Sequence, residues 1–318
     1  MTPTAFTVIA PEEGHTLAKV LRSRLHASAP SWKDVRAHIE GRRVKLNDGV
    51  CTDDTRRLKE GDRVELLTKP DRLPRAATVD LVFRHFDEHV VVVEKPAKMN
   101  TVRHPAEFEW TEQQRKLDPT LQDLTQWAIA RRQNRPAKSL HPLRIVHRLD
   151  RETSGLVCFA RSVLGERMLG MQFRKHTVIR RYLALVPGIF DATTIRSNLV
   201  RDRGNGRRGS TTLPGVGKPA VTHVSVEESL VGHTLLSCRL ETGRTHQIRI
   251  HLSEAGHPVI ADRVYGTASP DIARLALHAT ELGFAHPATQ ALLHWTTPMP
   301  SDMQLLIDDL RPSTTPEM

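Results

Sequence analysis

The chain has 318 residues and a formal net charge of +10, with 46 Lys and Arg against 36 Asp and Glu. This length excludes a single small module and is enough for one large domain or two moderate ones. A sequence pI of about 9.9 favours a polyanionic partner such as nucleic acid, although charge alone leaves anionic membranes and simple solubility open.

The cysteine and targeting patterns exclude further classes. Cys51, Cys158 and Cys238 are scattered without a Cys-x-x-Cys pair, so neither a disulfide framework nor a structural zinc site is expected. The N-terminal segment lacks the charged and apolar regions of a signal peptide, and the apolar run at residues 90–93 is too short to cross a bilayer. We therefore expect a cytoplasmic protein without a membrane segment.

The first seventy residues predict two short helices followed by strands. Apolar residues recur at helical spacing and then alternate, and Gly41 is placed to end the second helix. The predicted segments are residues 17–25 and 35–39 for the helices, 44–46 and 61–66 for the strands, and 47–49 for a turn.

Basic side chains bunch on the second predicted helix and on the turn that follows it. Such a cluster can hold a phosphate backbone without reading its sequence. From charge alone, a solvated basic face is an equally acceptable interpretation. The residues concerned are Lys33, Arg36, Arg42, Arg43 and Lys45.

A proline-bearing polar connector at residues 70–75 predicts a domain boundary. Beyond it, residues 79–83 and 89–93 are typical of two strands separated by a turn. Lys95-Pro96 follows the second strand, and taken alone this pair marks only a strand end.

The most informative stretch covers residues 147–156 and holds Asp150 between Arg148 and Arg151. Nearby positive charge favours the ionised carboxylate, so Asp150 is a candidate nucleophile or base. For an isolated Asp between arginines, an ordinary surface ion-pair cluster would be the preferred interpretation. Here turn residues lead into an apolar run at residues 156–160, and a loop held by a rigid element is where reactive groups commonly lie.

Two later stretches carry further candidates. Ser162 is placed to cap a helix reaching about Lys175, and residues 177–188 predict a strand that carries Arg180 and Tyr182. For a tyrosine on a strand, core packing with a bonded hydroxyl is the default alternative to a functional role.

Residues 235–252 predict a strand that ends at Thr242-Gly243 and then a helix capped by Thr245. Ile248 and Leu252 would face the core, and this phase places Arg249 off the apolar face, near the helix start. Without further information, Arg249 would simply cover a helix end.

Neither a nucleotide site nor a metal site is predicted. The basic glycine-rich segment at residues 201–209 is a candidate phosphate contact but lacks the Gly-x-x-x-x-Gly-Lys pattern. His257, His278 and His286 lack a carboxylate or cysteine at ligand spacing and are interpreted as structural. We therefore expect no metal.

Several of these stretches resemble the RluA-type pseudouridine synthases, enzymes that isomerise uridine in RNA. Arg180 stands where this family has lysine, which keeps the charge but changes the donor geometry, and Ala261 stands where the family usually has glycine. The two strands followed by Lys95-Pro96 are similar to the first motif of the family, in which the Lys-Pro turn supports the active site. The other matching stretches are His147-Arg148-Leu149-Asp150 with Thr153-Ser154-Gly155, then Val178 with Tyr182, and Gly243-Arg244-Thr245-His246-Gln247-Ile248-Arg249.

The resemblance implies roles for individual residues. Asp150 would carry the chemistry, and Arg249 would contact it and keep it charged with bidentate geometry. Tyr182 would stack on the uracil, and Arg148 would enter the space left by a flipped base. The isomerisation involves no redox step or external group, so no cofactor is expected. The other residues expected to contact RNA or substrate are Leu149, Arg180 and Arg244.

The first seventy residues resemble the small S-four-type RNA-binding fold first known from a ribosomal protein. Ile39-x-Gly41-x-x-Val44-x-Leu46-Asn47 and Gly61-Asp62-x-Val64 carry this resemblance. We therefore predict an RNA-binding domain at residues 1–72, a synthase domain at 77–312 and a disordered tail at 313–318.

Many short strands with few intervening helices from residue 79 onward predict an α+β fold with a mixed, largely antiparallel sheet, preceded by a small αα-β domain. The expected partner is a structured RNA, ribosomal or transfer, and we expect a monomer. An inactive RNA-binding protein of the same fold remains open. A glycosidase would need a second acid, for which Glu152, beside arginines, is a poor candidate.

Overall fold

The structure is a computed structural model that describes residues 4–25, 31–41, 43–47, 49–51, 53–68, 81–108, 110–111, 115, 118–203 and 207–312. The chain divides into two compact units, one formed mainly by residues 1–75 and the other by most of the remainder. Predictions for Arg42, Asp48, the connector at 70–75 and the tail at 313–318 lie outside the described residues, as do residues 204–206 of the glycine-rich segment.

The first unit contains two helices and a small antiparallel sheet. Thr16 caps the first helix through its hydroxyl, and Ser31 with Asp34 forms a capping box on the second, as their positions before apolar-periodic runs require. The sheet order is β1-β4-β2-β3. The elements are α1 (Leu17–Arg24), α2 (Trp32–Glu40), β1 (Thr4–Thr7), β2 (Val44–Leu46), β3 (Gly49–Val50) and β4 (Arg63–Leu66).

A compact apolar core joins these elements. Leu17 and Leu21 of α1, Ile39 of α2 and Val64 of β4 are all fully buried. Their spacing of four residues along each helix and their alternation along the strands place these side chains on one face, so burying that face stabilises the unit.

The second unit is built on a large sheet with the order β11-β10-β12-β13-β9-β14-β8-β6-β5, with β15 paired to β14 and β7 paired to β8. Only the β14–β8 pair is parallel among the described strands, so the prediction of a mixed, largely antiparallel sheet is confirmed. The strands are β5 (Phe83–Phe86), β6 (Val90–Lys95), β7 (Arg144–Ile145), β8 (Ser154–Ala160), β9 (Ile179–Pro187), β10 (Thr193–Val200), β11 (Gly209–Thr211), β12 (Lys218–Leu230), β13 (His233–Leu240), β14 (Leu277–Ala285) and β15 (Leu292–Thr296).

Helices cover both faces of this sheet. Alternate residues of β8 serve two cores: Val157 and Phe159 pack with α3, α5 and α6 on one face, while Leu156 and Cys158 pack with α4 on the other. This explains why the run at residues 156–160 is continuously apolar instead of alternating. The helices are α3 (Leu121–Arg132), α4 (Val163–Arg174), α5 (Gln247–Glu254) and α6 (Ser301–Leu310).

Gly155 is required where β8 meets β14. Its φ is +118°, and a Cβ at this position would lie 2.1 Å from the carbonyl oxygen of Ala279 on the neighbouring strand. No other residue type permits so close a backbone approach. The Thr-Ser-Gly sequence therefore starts the strand immediately after the loop that carries Asp150.

Four local predictions need correction. Strand β1 (Thr4–Thr7) precedes the two helices of the first unit, where the sequence predicted strands only after them, and Ser154 and Gly155 belong to β8 instead of a turn. The first strand of the second unit is Phe83–Phe86 rather than residues 79–83, of which 79 and 80 lie outside the described residues. The difference arises because β5 takes its register from β6, where Phe86 pairs with Val91. The N-cap of α5 is His246 rather than Thr245.

Candidate active site

A cavity of about 640 Å³ opens over the middle strands of the large sheet. Its wall combines the loop before β8, strand β9, the end of β13 and the start of α5. It brings together every residue of the second unit that the sequence suggested for substrate: Asp150, Tyr182, Arg249, Arg148, Leu149, Arg180 and Arg244.

The backbone on both sides of Asp150 is held by residues from the segment after β6. The Thr101 hydroxyl donates to the carbonyl of Leu149 at 2.8 Å and accepts from its N–H at 3.1 Å. The ammonium of Lys95, the last residue of β6, donates to the carbonyl of Arg151 at 3.0 Å. It also donates to the carbonyls of Pro96 and Met99 in the loop that follows β6. The Asp150 side chain therefore projects from a fixed backbone.

Burial lowers the pKa of Lys95 to about 7, against the opposing charges of Glu152 and Asp150. Its three carbonyl acceptors match the three donors of an ammonium group, so this loop is built around the charged form. The Lys-Pro pair is thus more than a strand end.

The carboxylate of Asp150 is paired with groups that are distant in sequence. Arg249 Nη1 lies 3.7 Å from Asp150 Oδ2, and His246 Nε2 lies 3.9 Å from the same oxygen. Arg151, one of the flanking arginines expected to keep Asp150 charged, instead pairs with Glu152 at 3.4 Å. The cation that faces the Asp150 carboxylate is therefore Arg249 of α5.

The bidentate partner of Arg249 is Asp262, not Asp150. Arg249 donates through Nε and Nη2 to the two oxygens of Asp262, both at 2.7 Å, and leaves Nη1 for Asp150. Asp262 also accepts from the backbone N–H groups of Val264 and Tyr265. Burial alone would raise the pKa of Asp262, but these hydrogen bonds and the Arg249 charge hold it below its usual value.

Arg249 itself is buried, with only 6% of its surface exposed. The helical spacing correctly placed Arg249 on a different side of α5 from Ile248 and Leu252. That polar side of the helix is nevertheless also covered by protein. A buried guanidinium is tolerated because Asp262 compensates its charge.

A polar network fixes the start of α5. The Gln247 amide donates to Val221 O and Thr222 Oγ1 and accepts from Thr242 Oγ1 and the Arg244 N–H. The helix is therefore anchored to β12 by a side chain at its first residue, which explains how it begins without a side-chain cap.

Tyr182 and Arg180 project from β9 into the same cavity. Burial is the main cause that raises the pKa of Tyr182, opposed by the nearby Arg180, so the phenol is protonated at neutral pH. Arg180 is 8% exposed and donates to the carbonyl of Glu241 at 3.1 Å. A Cβ on Gly243 would lie 2.5 Å from Arg180 Nη1, so the absence of a side chain there makes room for the guanidinium.

A family model described as RNA pseudouridylate synthase matches residues 89–254. A ribosomal large subunit pseudouridine synthase D from Nitrosomonas europaea is 33% identical over 302 residues, covering 89% of this chain and 81% of that protein. The chain belongs to the RNA pseudouridylate synthase family. A Bacillus subtilis relative, the uncharacterised RNA pseudouridine synthase YhcT, is 34% identical and covers 93% of both chains.

Solved structures agree on the fold of this family member. The human RNA pseudouridylate synthase domain containing 4 superposes with a TM-score of 0.58 at 20% identity, over 72% of this chain and 92% of that chain. The α+β architecture is thus that of the pseudouridine synthases. None of the helices in the described part of the chain combines the length and apolar character needed to cross a bilayer.

The other predicted contact residues differ in their exposure. Arg148 is exposed at the cavity, whereas the Leu149 side chain is 6% exposed and packs into the core. Arg244 is partly buried, and its Nε donates to the carbonyl of Pro219. Arg148 is therefore a more accessible cation than Arg244.

The basic residues of the first unit lie apart from this cavity in sequence and remain predicted RNA contacts. Lys33 and Arg36 are exposed on α2, and Arg36 pairs with Asp54 at 3.1 Å. Arg43 and Lys45 are partly buried in and beside β2.

One group of side chains has the spacing of a metal site. His85, Asp87 and His286 approach within ligand distance, which places a carboxylate beside His286 that sequence spacing did not indicate. However, Nδ1 of His286 accepts from the N–H of Thr289, so its proton lies on Nε2 and is donated to Asp87 at 3.0 Å. Because Asp87 also accepts from Val90 N–H, the group is a polar cap on the β5–β6 turn.

Sequence reasoning missed the roles of three residues around Asp150. Asp262 orients Arg249, His246 faces the carboxylate, and Thr101 holds the backbone. A supporting role for the Lys95-Pro96 turn was implied by the resemblance to the synthase family. The only signal for Asp262 was the general requirement that a buried Arg have a carboxylate partner, and nothing in the spacing indicated which one.

Proposed function

We propose that this enzyme converts uridines of ribosomal RNA into pseudouridine. Its relatives from Nitrosomonas europaea and Neisseria meningitidis carry the name ribosomal large subunit pseudouridine synthase D. The +10 charge suits a structured polyanion. Transfer RNA is the alternative substrate, and the cytoplasm is the expected location.

The proposed reaction breaks the bond between the uracil and the ribose, turns the base and rejoins it through carbon 5, from which a proton leaves. Asp150 either attacks the sugar or removes a proton from it. The paired bases of a stem hide this bond, so the nucleotide is flipped into the cavity at a cost of roughly a few kcal/mol.

The remaining roles follow from the position of each side chain in the cavity. Arg249, locked by Asp262, holds a positive charge 3.7 Å from the carboxylate of Asp150. Tyr182 offers its ring to the uracil and can assist loss of the carbon 5 proton. Arg148, exposed at the cavity, is placed to enter the stack where the base has left.

A single observation carries this proposal. In a member of the synthase family, one cavity holds Asp150, Tyr182 and Arg249, with Arg249 paired to Asp150 at 3.7 Å. The rival interpretation, an inactive RNA-binding protein, gives no reason for a fixed carboxylate and a buried guanidinium to meet in a cavity.

The Asp150→Asn variant tests the proposal. It keeps the shape of the side chain but removes the charge, so we expect product formation to fall by at least about a thousandfold while RNA binding is retained. Release of tritium from uridine labelled at carbon 5, in transcripts of ribosomal RNA, measures the reaction.

Glu152→Gln is the matched control, because it neutralises a carboxylate on the same loop that does not line the cavity. We expect it to retain activity within a few fold. Normal activity of Asp150→Asn would contradict the catalytic role of Asp150. A wild-type enzyme that acts only on transfer RNA would contradict the proposal that ribosomal RNA is the substrate.

We also propose that the first unit is an S-four-type RNA-binding domain. Two capped helices followed by strands match the αα-β order expected from the sequence, apart from β1, which precedes the helices, and Lys33 and Arg36 lie exposed on the second helix. In this proposal the domain supplies affinity for the phosphate backbone, and the cavity supplies the chemistry. The enzyme is expected to act as a monomer.

A further inference from the structure

A second side chain reaches Asp150 from the cap of α5. His246 Nε2 lies 3.9 Å from Asp150 Oδ2, and on its other side Nδ1 lies 2.9 Å from the hydroxyl of Tyr265. The two rings meet edge to face, with centroids 5.5 Å apart. His246 is thus held between the carboxylate and a phenol.

The Asp150 carboxylate favours one direction for the hydrogen bond between His246 and Tyr265. If Nδ1 carried the proton, the lone pair of Nε2 would face the negative oxygen of Asp150, which is repulsive. If Tyr265 donates its hydroxyl proton to Nδ1, the Nε2–H dipole points toward the carboxylate. The second arrangement satisfies all three groups.

The backbone of His246 is strained in this geometry. His246 has a φ of +60°, in the left-handed region that residues other than glycine and asparagine rarely adopt. Such a conformation persists only where its surroundings impose it, and here Gln247 anchors the next residue to β12. Strain at the residue facing Asp150 is consistent with a positional requirement.

Tyr265 also contacts both members of the Arg249–Asp262 ion pair. Its N–H donates to Asp262 at 3.0 Å, and its ring lies against the Arg249 guanidinium, 5.1 Å from centroid to carbon. The turn that contains Asp262 and Tyr265 therefore orients both groups that face Asp150. Asp262 orients the guanidinium of Arg249, and the Tyr265 hydroxyl orients the imidazole of His246.

We infer that the Tyr265–His246 pair is a positioning device that directs a fixed N–H dipole at the Asp150 carboxylate from 3.9 Å, beside the charge of Arg249. This inference rests on the proposed role of Asp150 and adds a residue to it. His246 acts through Asp150 and is not expected to contact the uridine chemically.

The charged groups that face His246 agree with a neutral, donating imidazole. Burial is the main cause that lowers the pKa of His246, and Arg249 and Arg208 lower it further, while Asp150 and Asp262 oppose them. At neutral pH the ring therefore carries one proton, and Asp150 on one side and the hydroxyl of Tyr265 on the other both favour Nε2 as the nitrogen that bears it.

The first test measures the tautomer and does not depend on activity. Long-range proton–nitrogen NMR of the full-length protein labelled with ¹⁵N histidine distinguishes a protonated Nε2 from a protonated Nδ1. We expect the Nε2–H form of His246 in the wild type and a mixture in Tyr265→Phe. A pure Nδ1–H form in the wild type would overturn the inference.

The second test compares two replacements of His246 in single-turnover reactions. The amide of Gln places its nitrogen near the position of Nε2, whereas the amide of Asn replaces only Nδ1 and also suits the left-handed backbone. We expect His246→Asn to lose about tenfold or more in rate and His246→Gln to stay within about threefold of the wild type.

Equal rates for these two variants, whether both normal or both low, would overturn the inference. Such a result would show that the position of the amide nitrogen does not affect the rate. Failure of the proposed function is a different result. It would appear as a wild-type enzyme that forms no pseudouridine, and the NMR test would still decide the tautomer.

Discussion

At the scale of single residues, the decisive feature is how a buried guanidinium is compensated. Arg249 reaches Asp150 with one nitrogen because the other two donating nitrogens are held by Asp262, whose side chain has no exposed surface. Removing one partner of a buried pair leaves an uncompensated charge, which is far more costly than losing a surface ion pair.

We predict that Asp262→Asn lowers the free energy of unfolding by about 3–5 kcal/mol and also lowers activity, because Arg249 loses its orientation. Urea denaturation measures the stability. Asp302→Asn is the matched control, since Asp302 holds Arg274 with the same two 2.7 Å bonds but is 49% exposed at its side chain. A cost for Asp302→Asn as large as that for Asp262→Asn would contradict the argument from burial.

Asp262 also predicts a pH dependence. Its pKa is lower in the folded than in the unfolded chain, so its contribution to stability is fully present above the unfolded value of about 3.9 and is lost as pH falls through the folded value. The stability difference between the wild type and Asp262→Asn should therefore be largest near pH 7 and shrink below about pH 4. Chemical denaturation across this range gives the difference, and a constant difference would reject the assignment.

At the scale of elements, the close approach of β8 and β14 sets the position of the Asp150 loop. Strand β8 has to pass within backbone contact of β14 immediately after the loop, and only Gly155 allows this. The prediction that the Thr-Ser-Gly sequence is turn chemistry was therefore incomplete, because the glycine belongs to the strand.

We predict that Gly155→Ala lowers the free energy of unfolding by more than about 3 kcal/mol, because the new methyl group meets a backbone carbonyl that cannot move away. Gly170→Ala is the control within α4. A Cβ there lies 3.3 Å from the movable end of Arg174, and alanine in a helix interior should raise stability by about 0.5–1 kcal/mol. Thermal unfolding of both variants tests the pair, and a tolerated Gly155→Ala would show that the strands can separate.

The caps show what local sequence decides at this scale. Ser162 caps α4 as its position predicted, and Ser31 caps α2 in the same way, because a hydroxyl needs only the N–H groups of the next turn. The start of α5 escaped prediction because Gln247 is held by Val221 and Thr222, residues from a distant strand.

At the scale of the whole molecule, affinity and chemistry are proposed to belong to different units. Binding through phosphate contacts weakens with salt, and each lost contact lowers the slope of log affinity against log salt by about 0.7–0.9. This predicts separable effects of substitutions in the two units.

We predict that Lys33→Gln combined with Arg43→Gln weakens RNA binding, lowers the salt slope by about 1.5 and leaves the rate at saturating RNA unchanged. Filter binding at several salt concentrations and single-turnover kinetics measure the two effects. Arg311→Gln, whose charge is already paired with Glu228 at 2.7 Å, serves as control and should leave the slope unchanged. An unaltered slope in the double variant would place the RNA contacts elsewhere.

The sequence by itself determined the fold class, the family and the motif that carries Asp150, because helix caps, strand alternation and this motif depend on neighbours a few positions away. Only the tertiary structure decided that Asp262 holds Arg249 and that His246 and Tyr265 face Asp150. Such partners come from separate elements, and a buried charge requires a compensating group without specifying where in the chain that group lies. The physical reason is that electrostatic compensation acts through space, whereas sequence patterns report only what lies along the chain.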